Sequence, residues 1–284
     1  MTRQPITTEL RRWIVEQNAA GHAASAIVDS MVASGWQRDV AGIAYAATLH
    51  GAEEDGEGGD SVSGPISAVP GGHLGATHAL EKVSGHEVRI LAALRQPRVV
   101  VLGELLSAAD CSELIALAQD RLARSETVET RSGTSEVNAA RTSDGMFFEP
   151  AEYPVCARLE ARIAELVRWP LENGEGLQVL RYRPGTEYKP HYDYFDPAEL
   201  GTPLILERGG QRVASLICYL NTPEAGGATV FPDAGLEVAP LRGNAVFFSY
   251  DRPHPLTGSL HGGAPVEAGE KWVATKWMRQ GRFT

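Results

Sequence analysis

Tyr188-Lys189-Pro190-His191-Tyr192-Asp193-Tyr194-Phe195 is read as a β-strand. Aromatic residues alternate in it with polar ones. A strand's period of two puts His191, Asp193 and Phe195 on one face, and Tyr192 and Tyr194 on the other. An imidazole and a carboxylate therefore stand side by side. Taken alone, the pair is either half of a metal site or a structural His–Asp hydrogen bond.

The surrounding pattern extends that strand into a fold. Short β-prone runs cover Leu177 to Arg183, Arg212 to Leu220, Ala228 to Phe231, Gly235 to Val238, Asn244 to Tyr250 and Lys271 to Met278, separated by turn residues. Upstream, Arg98 to Leu102 is a β-branched run. Ser107 is an N-cap candidate for a helix running to about Arg124. A second helix spans Pro154 to about Arg168, with Val155, Leu159, Ile163, Leu166 and Val167 on one face. Helices followed by many short strands predict an α+β domain, a double-stranded β-helix (jelly roll) with flanking helices. Residues 73–96 are read as a helix or helices leading into this domain, which spans 73–284.

Residues 1–50 predict a small three-helix bundle. Leu10, Trp13, Ile14 and Gln17, then Ile27, Met31 and Val32, then Val40, Ile43, Ala44 and Ala47 recur at helical spacing. Met31-Val32-Ala33-Ser34-Gly35-Trp36 gives it a resemblance to ubiquitin-associated modules. Residues 51–72 begin with Gly51-Ala52-Glu53-Glu54-Asp55-Gly56 and continue rich in Gly, Ser and Pro. Such a composition buries too little apolar surface to offset its ordering entropy, and predicts a flexible linker.

The chain has 284 residues, a net charge of −10 and no long basic block. A nucleic acid or an anionic membrane surface is therefore not expected as a partner. Cys111, Cys156 and Cys218 are few, odd in number and widely spaced, which excludes a disulfide framework or a zinc ribbon and predicts buried free thiols. With no apolar segment of membrane-spanning length and no signal-like N-terminus, a cytoplasmic protein is expected.

Two histidines are candidates for a third ligand beside His191 and Asp193. His254 lies between Pro253 and Pro255. His261 precedes a glycine-rich turn and a strong strand that begins at Lys271, a layout expected to place His261 and Lys271 on neighbouring strands facing one pocket. Two histidines and one carboxylate make a facial set that leaves metal positions open, as non-haem Fe(II) chemistry requires. Strand parity puts Lys271, Val273, Thr275 and Trp277 on one face and Trp272, Ala274 and Lys276 on the other. A lysine inside such an apolar strand is either paired with an anion or snorkels to the barrel rim.

From about Pro97 to the C-terminus the chain resembles the prolyl 4-hydroxylase branch of the 2-oxoglutarate- and Fe(II)-dependent dioxygenases. The resemblance rests on Leu177 to Phe195, Gly226-Gly227-Ala228-Thr229-Val230-Phe231-Pro232, His261-Gly262-Gly263-Ala264-Pro265 through Lys271 to Trp277, and Arg141-Thr142-Ser143 with Gly145 and Phe147. It implies that His191, Asp193 and His261 ligate Fe(II), and that Lys271 binds the distal carboxylate of 2-oxoglutarate. His261 is preferred to His254 because it keeps the family's ten-residue step to the lysine. Tyr182 and Thr229 are implied as further cosubstrate contacts. The resemblance also implies O2 as the oxidant, ascorbate as the reductant, and succinate and CO2 as the products from the cosubstrate.

The implied substrate is proline in a peptide or protein. Tyr188, Arg141, Ser143, Arg212 and Trp277 are groove candidates by the same resemblance, and an aromatic lining suits polyproline II. A polar loop from about Glu129 to Val137 is a candidate lid. Two alternatives stand: a dioxygenase of a small molecule or free amino acid, and a binding scaffold with vestigial catalysis.

Overall fold

In a computed structural model, which describes residues 8–19, 22–36, 38–50, 69–75, 77–124, 127–128, 135–136 and 142–283, the chain from Leu177 onward passes repeatedly between two antiparallel sheets, while Ala225–Gly226 pairs with Val266–Ala268 in a short sheet of its own. Leu177–Tyr182, Arg212–Tyr219, Ala245–Ser249 and Lys271–Arg279 enter a nine-stranded sheet. Tyr188–His191, Thr229–Phe231, Leu236–Val238 and His261–Gly263 form a four-stranded one. This repeated crossing is the jelly roll that the strand pattern predicts. The chain divides into two units, 1–63 and 64–284.

Lys271–Arg279 lies inside the large sheet, between Arg212–Tyr219 and Leu177–Tyr182, and is buried along its whole length. Its faces follow parity. Trp272, Ala274 and Met278 join an apolar cluster with the helices, whereas Val273 joins a second cluster between the sheets with Leu180, Phe231 and Phe248. The helix Pro154–Val167 supplies Val155, Leu159, Ile163, Leu166 and Val167 to the first cluster.

Lys276 points to that helical side. Its Nζ donates to Glu160 Oε1 at 2.6 Å, with Lys276 3 % and Glu160 2 % exposed. The other oxygen of Glu160 accepts the Ala151 N–H at 2.8 Å. Removing one partner of a buried ion pair leaves the other charge uncompensated, so Lys276→Ala should cost about 3–5 kcal/mol. Urea denaturation checks this, with loss of stability expected and no direct effect on the metal-ligand set.

Several local expectations are corrected. Residues 80–94 form a β-hairpin, Leu80–Val83 with His86–Leu94, in place of helices. Ser84 and Gly85 both adopt positive φ (49° and 74°), the turn that matches strand twist. Ser107 does cap its helix, its Oγ accepting the Asp110 N–H at 3.0 Å. That helix stops at Ala118, because Ala123–Arg124 pairs with the strand Asp144–Phe148. The strand begun at Tyr188 ends at His191, and Asp193 sits in the following bend. Gln211 fastens that bend, its side chain exchanging two 2.8 Å bonds with the Phe195 backbone.

The linker expected over 51–72 lies outside the described residues except at 69–72. There Pro70 and Gly71 are buried and Gly71 N–H donates to Val167 O at 2.6 Å, so the ordered domain begins by residue 69. In the first unit, helices Thr8–Ala19, Ala24–Ala33 and Arg38–His50 share the buried side chains Ile14, Ile27, Met31, Ala41 and Ala44. The lid candidate lies outside the described residues apart from Ser135–Glu136, which pairs with Thr127–Val128.

Candidate metal and cosubstrate site

His191 and His261 are direct partners across the four-stranded sheet. His261 Nδ1 is 3.0 Å from Ser259 O, and His191 Nδ1 is 2.9 Å from Lys189 O. Each carbonyl fixes the proton on Nδ1 and leaves the Nε2 lone pair outward. Asp193 reaches the same point, its carboxylate oxygens 3.6 Å from His191 Nε2 and 3.5 Å from His261 Nε2. One donor atom from each residue lies within 4.8 Å of the others. Nitrogen, nitrogen and carboxylate oxygen suit an open Fe(II) site.

Burial in the inter-sheet core lowers the His261 imidazole to about 4 despite the neighbouring carboxylate. The ring is thus neutral, as a ligand must be. Burial opposes ionisation of Asp193 too, but His261, the His191 hydrogen bond and Arg212 outweigh it and hold the carboxyl well below its ordinary range.

The structure also shows supports that were not anticipated from sequence. Ser215 Oγ donates to Asp193 Oδ2 at 2.5 Å, and Tyr250 OH lies 3.2 Å beyond it. The available signal was a lone hydroxyl in the apolar run Val213 to Ile217, where a buried polar group needs a partner. Ser215→Ala should weaken metal binding by about 10–100-fold while leaving the ligands in place, as a metal titration would read.

Lys271 faces His261 from the other sheet. The two are therefore not on neighbouring strands, as the sequence layout predicts, but on opposite walls of one recess. That recess opens to solvent on one side and is lined by His191, Asp193, His261, Tyr182, Thr229 and Lys271 among others. Lys271 is 4 % exposed, and burial lowers its ammonium to about 8. Among the described residues no carboxylate pairs with it. Its Nζ lies 5.5 Å from the Tyr182 ring centre and 5.9 Å from that of Tyr219, contacts that favour a cation. Gly227 is left-handed (φ 73°), and a Cβ there would lie 3.1 Å from Lys271 Cδ; glycine lets this loop close against the lysine. A buried cation without a carboxylate, facing a metal-ligand set across open space, is complementary to a dicarboxylate.

The groove candidates separate. Tyr188 and Trp277 line the recess, and Tyr188 stacks on His191 with ring centres 3.7 Å apart. Thr229 lines it too, its Oγ1 accepting from Tyr219 OH at 2.8 Å. Ser143 is fully buried and outside the lining. Arg212 is likewise not in the lining. It pairs with Glu175 at 2.6 and 2.9 Å, and its guanidinium lies 4.0 Å from the Trp277 ring centre. It packs behind the wall because a buried guanidinium needs this carboxylate. Arg141 lies outside the described residues. His254, on the extended segment before Pro255, accepts the Leu256 N–H and is not in the ligand set.

The model of the 2OG-Fe(II) oxygenase superfamily matches residues 177–279. Prolyl 4-hydroxylase 1 of Arabidopsis thaliana is 42 % identical over 205 residues, which are 65 % of this chain and 69 % of that protein. Probable prolyl 4-hydroxylase 3 of the same plant is 39 % identical over 209 residues, 66 % of this chain and 71 % of its own. Among solved structures, the viral collagen prolyl hydroxylase of Paramecium Bursaria Chlorella virus-1, in its 2OG complex, matches with 29 % identity and a TM-score of 0.50. That match covers 64 % of this chain and 95 % of the viral one. With this identity and coverage, the converging donors and the buried lysine sit on a chain that belongs to the prolyl 4-hydroxylase branch of the 2OG-Fe(II) oxygenases.

Proposed function

We propose that this chain is an Fe(II)- and 2-oxoglutarate-dependent dioxygenase that hydroxylates proline within a peptide or protein, at the 4-position as its relatives' names describe. One observation carries the reading: two Nε2 atoms and a carboxylate converge across a recess from a buried lysine that has no carboxylate partner among the described residues. His191, Asp193 and His261 would hold iron, and Lys271 the far carboxylate of 2-oxoglutarate, with Tyr182 and Thr229 beside it. Together, iron and 2-oxoglutarate would activate O2, one of its oxygen atoms entering succinate as CO2 is lost from 2-oxoglutarate and the other entering the substrate.

The protein's own contribution is placement. The Ser259 and Lys189 carbonyls fix both imidazoles, and Ser215 fixes the carboxylate. Lys271 sets the depth of the cosubstrate, so that its keto-acid end meets the ligand set. The apolar walls Leu180, Ile217 and Val273 limit water in the recess. Tyr188 and Trp277 offer aromatic faces at the substrate side, which suit a proline ring. Ascorbate as reductant and a cytoplasmic location belong to the same proposal; the three buried free cysteines suit a reducing compartment.

The test is a pool of proline-containing peptides incubated with Fe(II), 2-oxoglutarate and ascorbate. Mass spectrometry should find one added oxygen on proline with wild-type protein and none with His191→Ala. Oxidation confined to free amino acids or small molecules would replace the proline reading with the small-molecule one.

A further inference from the structure

Two buried hydroxyls stand behind the ligand set, one after the other. Ser215 Oγ donates to Asp193 Oδ2 at 2.5 Å. A hydroxyl has one proton to give, and an ionised carboxylate can only accept it. Tyr250 OH, 3.2 Å from Ser215 Oγ, is therefore the donor in the next bond. The two bonds make one directed relay, from Tyr250 through Ser215 to Asp193, with Tyr250 2 % and Ser215 0 % exposed. The Tyr250 ring packs against Phe248 and Tyr194, with ring centres 6.4 and 6.0 Å away. Phenylalanine would fill that place as well, and a buried hydroxyl is a cost unless it is bonded. The backbone holds the relay together, since Tyr250 N–H donates to Val213 O at 3.0 Å on the strand that carries Ser215. Arg212 meets Asp193 only at its backbone carbonyl, 3.4 Å away, and does not orient the carboxylate.

We infer that Tyr250 is a positioning residue: through Ser215 it occupies Asp193 Oδ2 and leaves Oδ1 alone to face the metal. This rests on the reading of His191, Asp193 and His261 as the ligand set. Oδ1 lies 3.6 Å from His191 Nε2, and Oδ2 lies 3.5 Å from His261 Nε2. Both oxygens are thus close to the ligand nitrogens, and a carboxylate without the relay could offer both. Binding through two oxygens would fill a position that an open facial set leaves for cosubstrate and O2. Tyr250 touches no reacting atom. Its effect passes through the direction in which Ser215 points its proton.

Cobalt(II) is the probe, because its visible absorption reports coordination number. Cobalt-loaded Tyr250→Phe should show a spectrum shifted toward higher coordination, and Ser215→Ala the same shift. Tyr250→Phe should also bind 2-oxoglutarate about tenfold more weakly, the low end of what a lost outer-shell partner costs. The double variant should be no weaker than Ser215→Ala, because both changes cut one relay. The ring stays in Tyr250→Phe, so the metal-free variant should keep its fold and a Tm close to wild type. A hydroxyl that serves only stability would do the reverse, lowering that Tm and leaving the cobalt spectrum and the 2-oxoglutarate Kd unchanged. That result, or losses that add fully in the double variant, would overturn the relay and leave the ligand set in place. Wild-type protein that binds no cobalt would remove the ligand set and the relay with it.

Discussion

His191→Ala protein is expected to fold and to bind no iron tightly. The side chain is partly exposed at the recess edge, where it stacks on Tyr188 and meets the His261 ring at a tilt, so its loss leaves the inter-sheet core closed. What disappears is one of three donors. At a hundred times its Kd, a ligand that binds only the folded state stabilises it by about 2.7 kcal/mol. A metal titration followed by thermal melting should therefore raise the wild-type Tm and leave the variant's unchanged. Succinate formation should fall to background. A variant that still gains the full metal-dependent stabilisation would remove His191 from the ligand set.

Lys271→Ala should act on the cosubstrate instead. Removing a charge-assisted partner from a buried carboxylate costs about 1.5–3 kcal/mol, so the 2-oxoglutarate KM should rise about 10–100-fold. The peptide KM should barely move, since the lysine lies on the inner wall. pH gives an independent reading. Burial lowers the ammonium from 10.5 to about 8, so its charge is lost in the folded protein as pH rises through 8. Without bound cosubstrate, 2-oxoglutarate affinity should then fall about tenfold per pH unit above 8. For the free protein the sign reverses. Between pH 8 and 10.5 the unfolded chain holds the extra proton, so this group adds stability as pH rises through that window. A 2-oxoglutarate KM unaltered by Lys271→Ala would show that another cation receives the carboxylate.

The His191–Asp193 pair was legible because strand parity is a local feature, whereas the choice of His261 over His254 came from the family resemblance. His191 and Asp193 come together as the pattern implies, although Asp193 gets there through a bend fastened by Gln211 rather than along a continuous strand. The opposition of Lys271 and Lys276 was legible for the same reason: a period of two leaves one facing the recess and the other Glu160. Non-local features were not legible. Sequence distance does not reveal that His261 and Lys271 lie on different sheets, because the turn between them carries the chain from one sheet to the other. Nor does it reveal that Arg212 is taken by Glu175, 37 residues away. The hairpin over 80–94 was missed because Val88-Arg89-Ile90-Leu91-Ala92-Ala93-Leu94 has helix-tolerant composition, and tertiary pairing with Arg98–Gly103 decided it.

Isotope tracing tests the central claim most directly. Under labelled dioxygen, with Fe(II), 2-oxoglutarate and a proline peptide, one labelled oxygen should enter succinate and the other hydroxyproline, in equal amounts, and both should vanish with His191→Ala. Product oxygen drawn from water, or labelled hydroxyproline formed without matching succinate, would contradict the account.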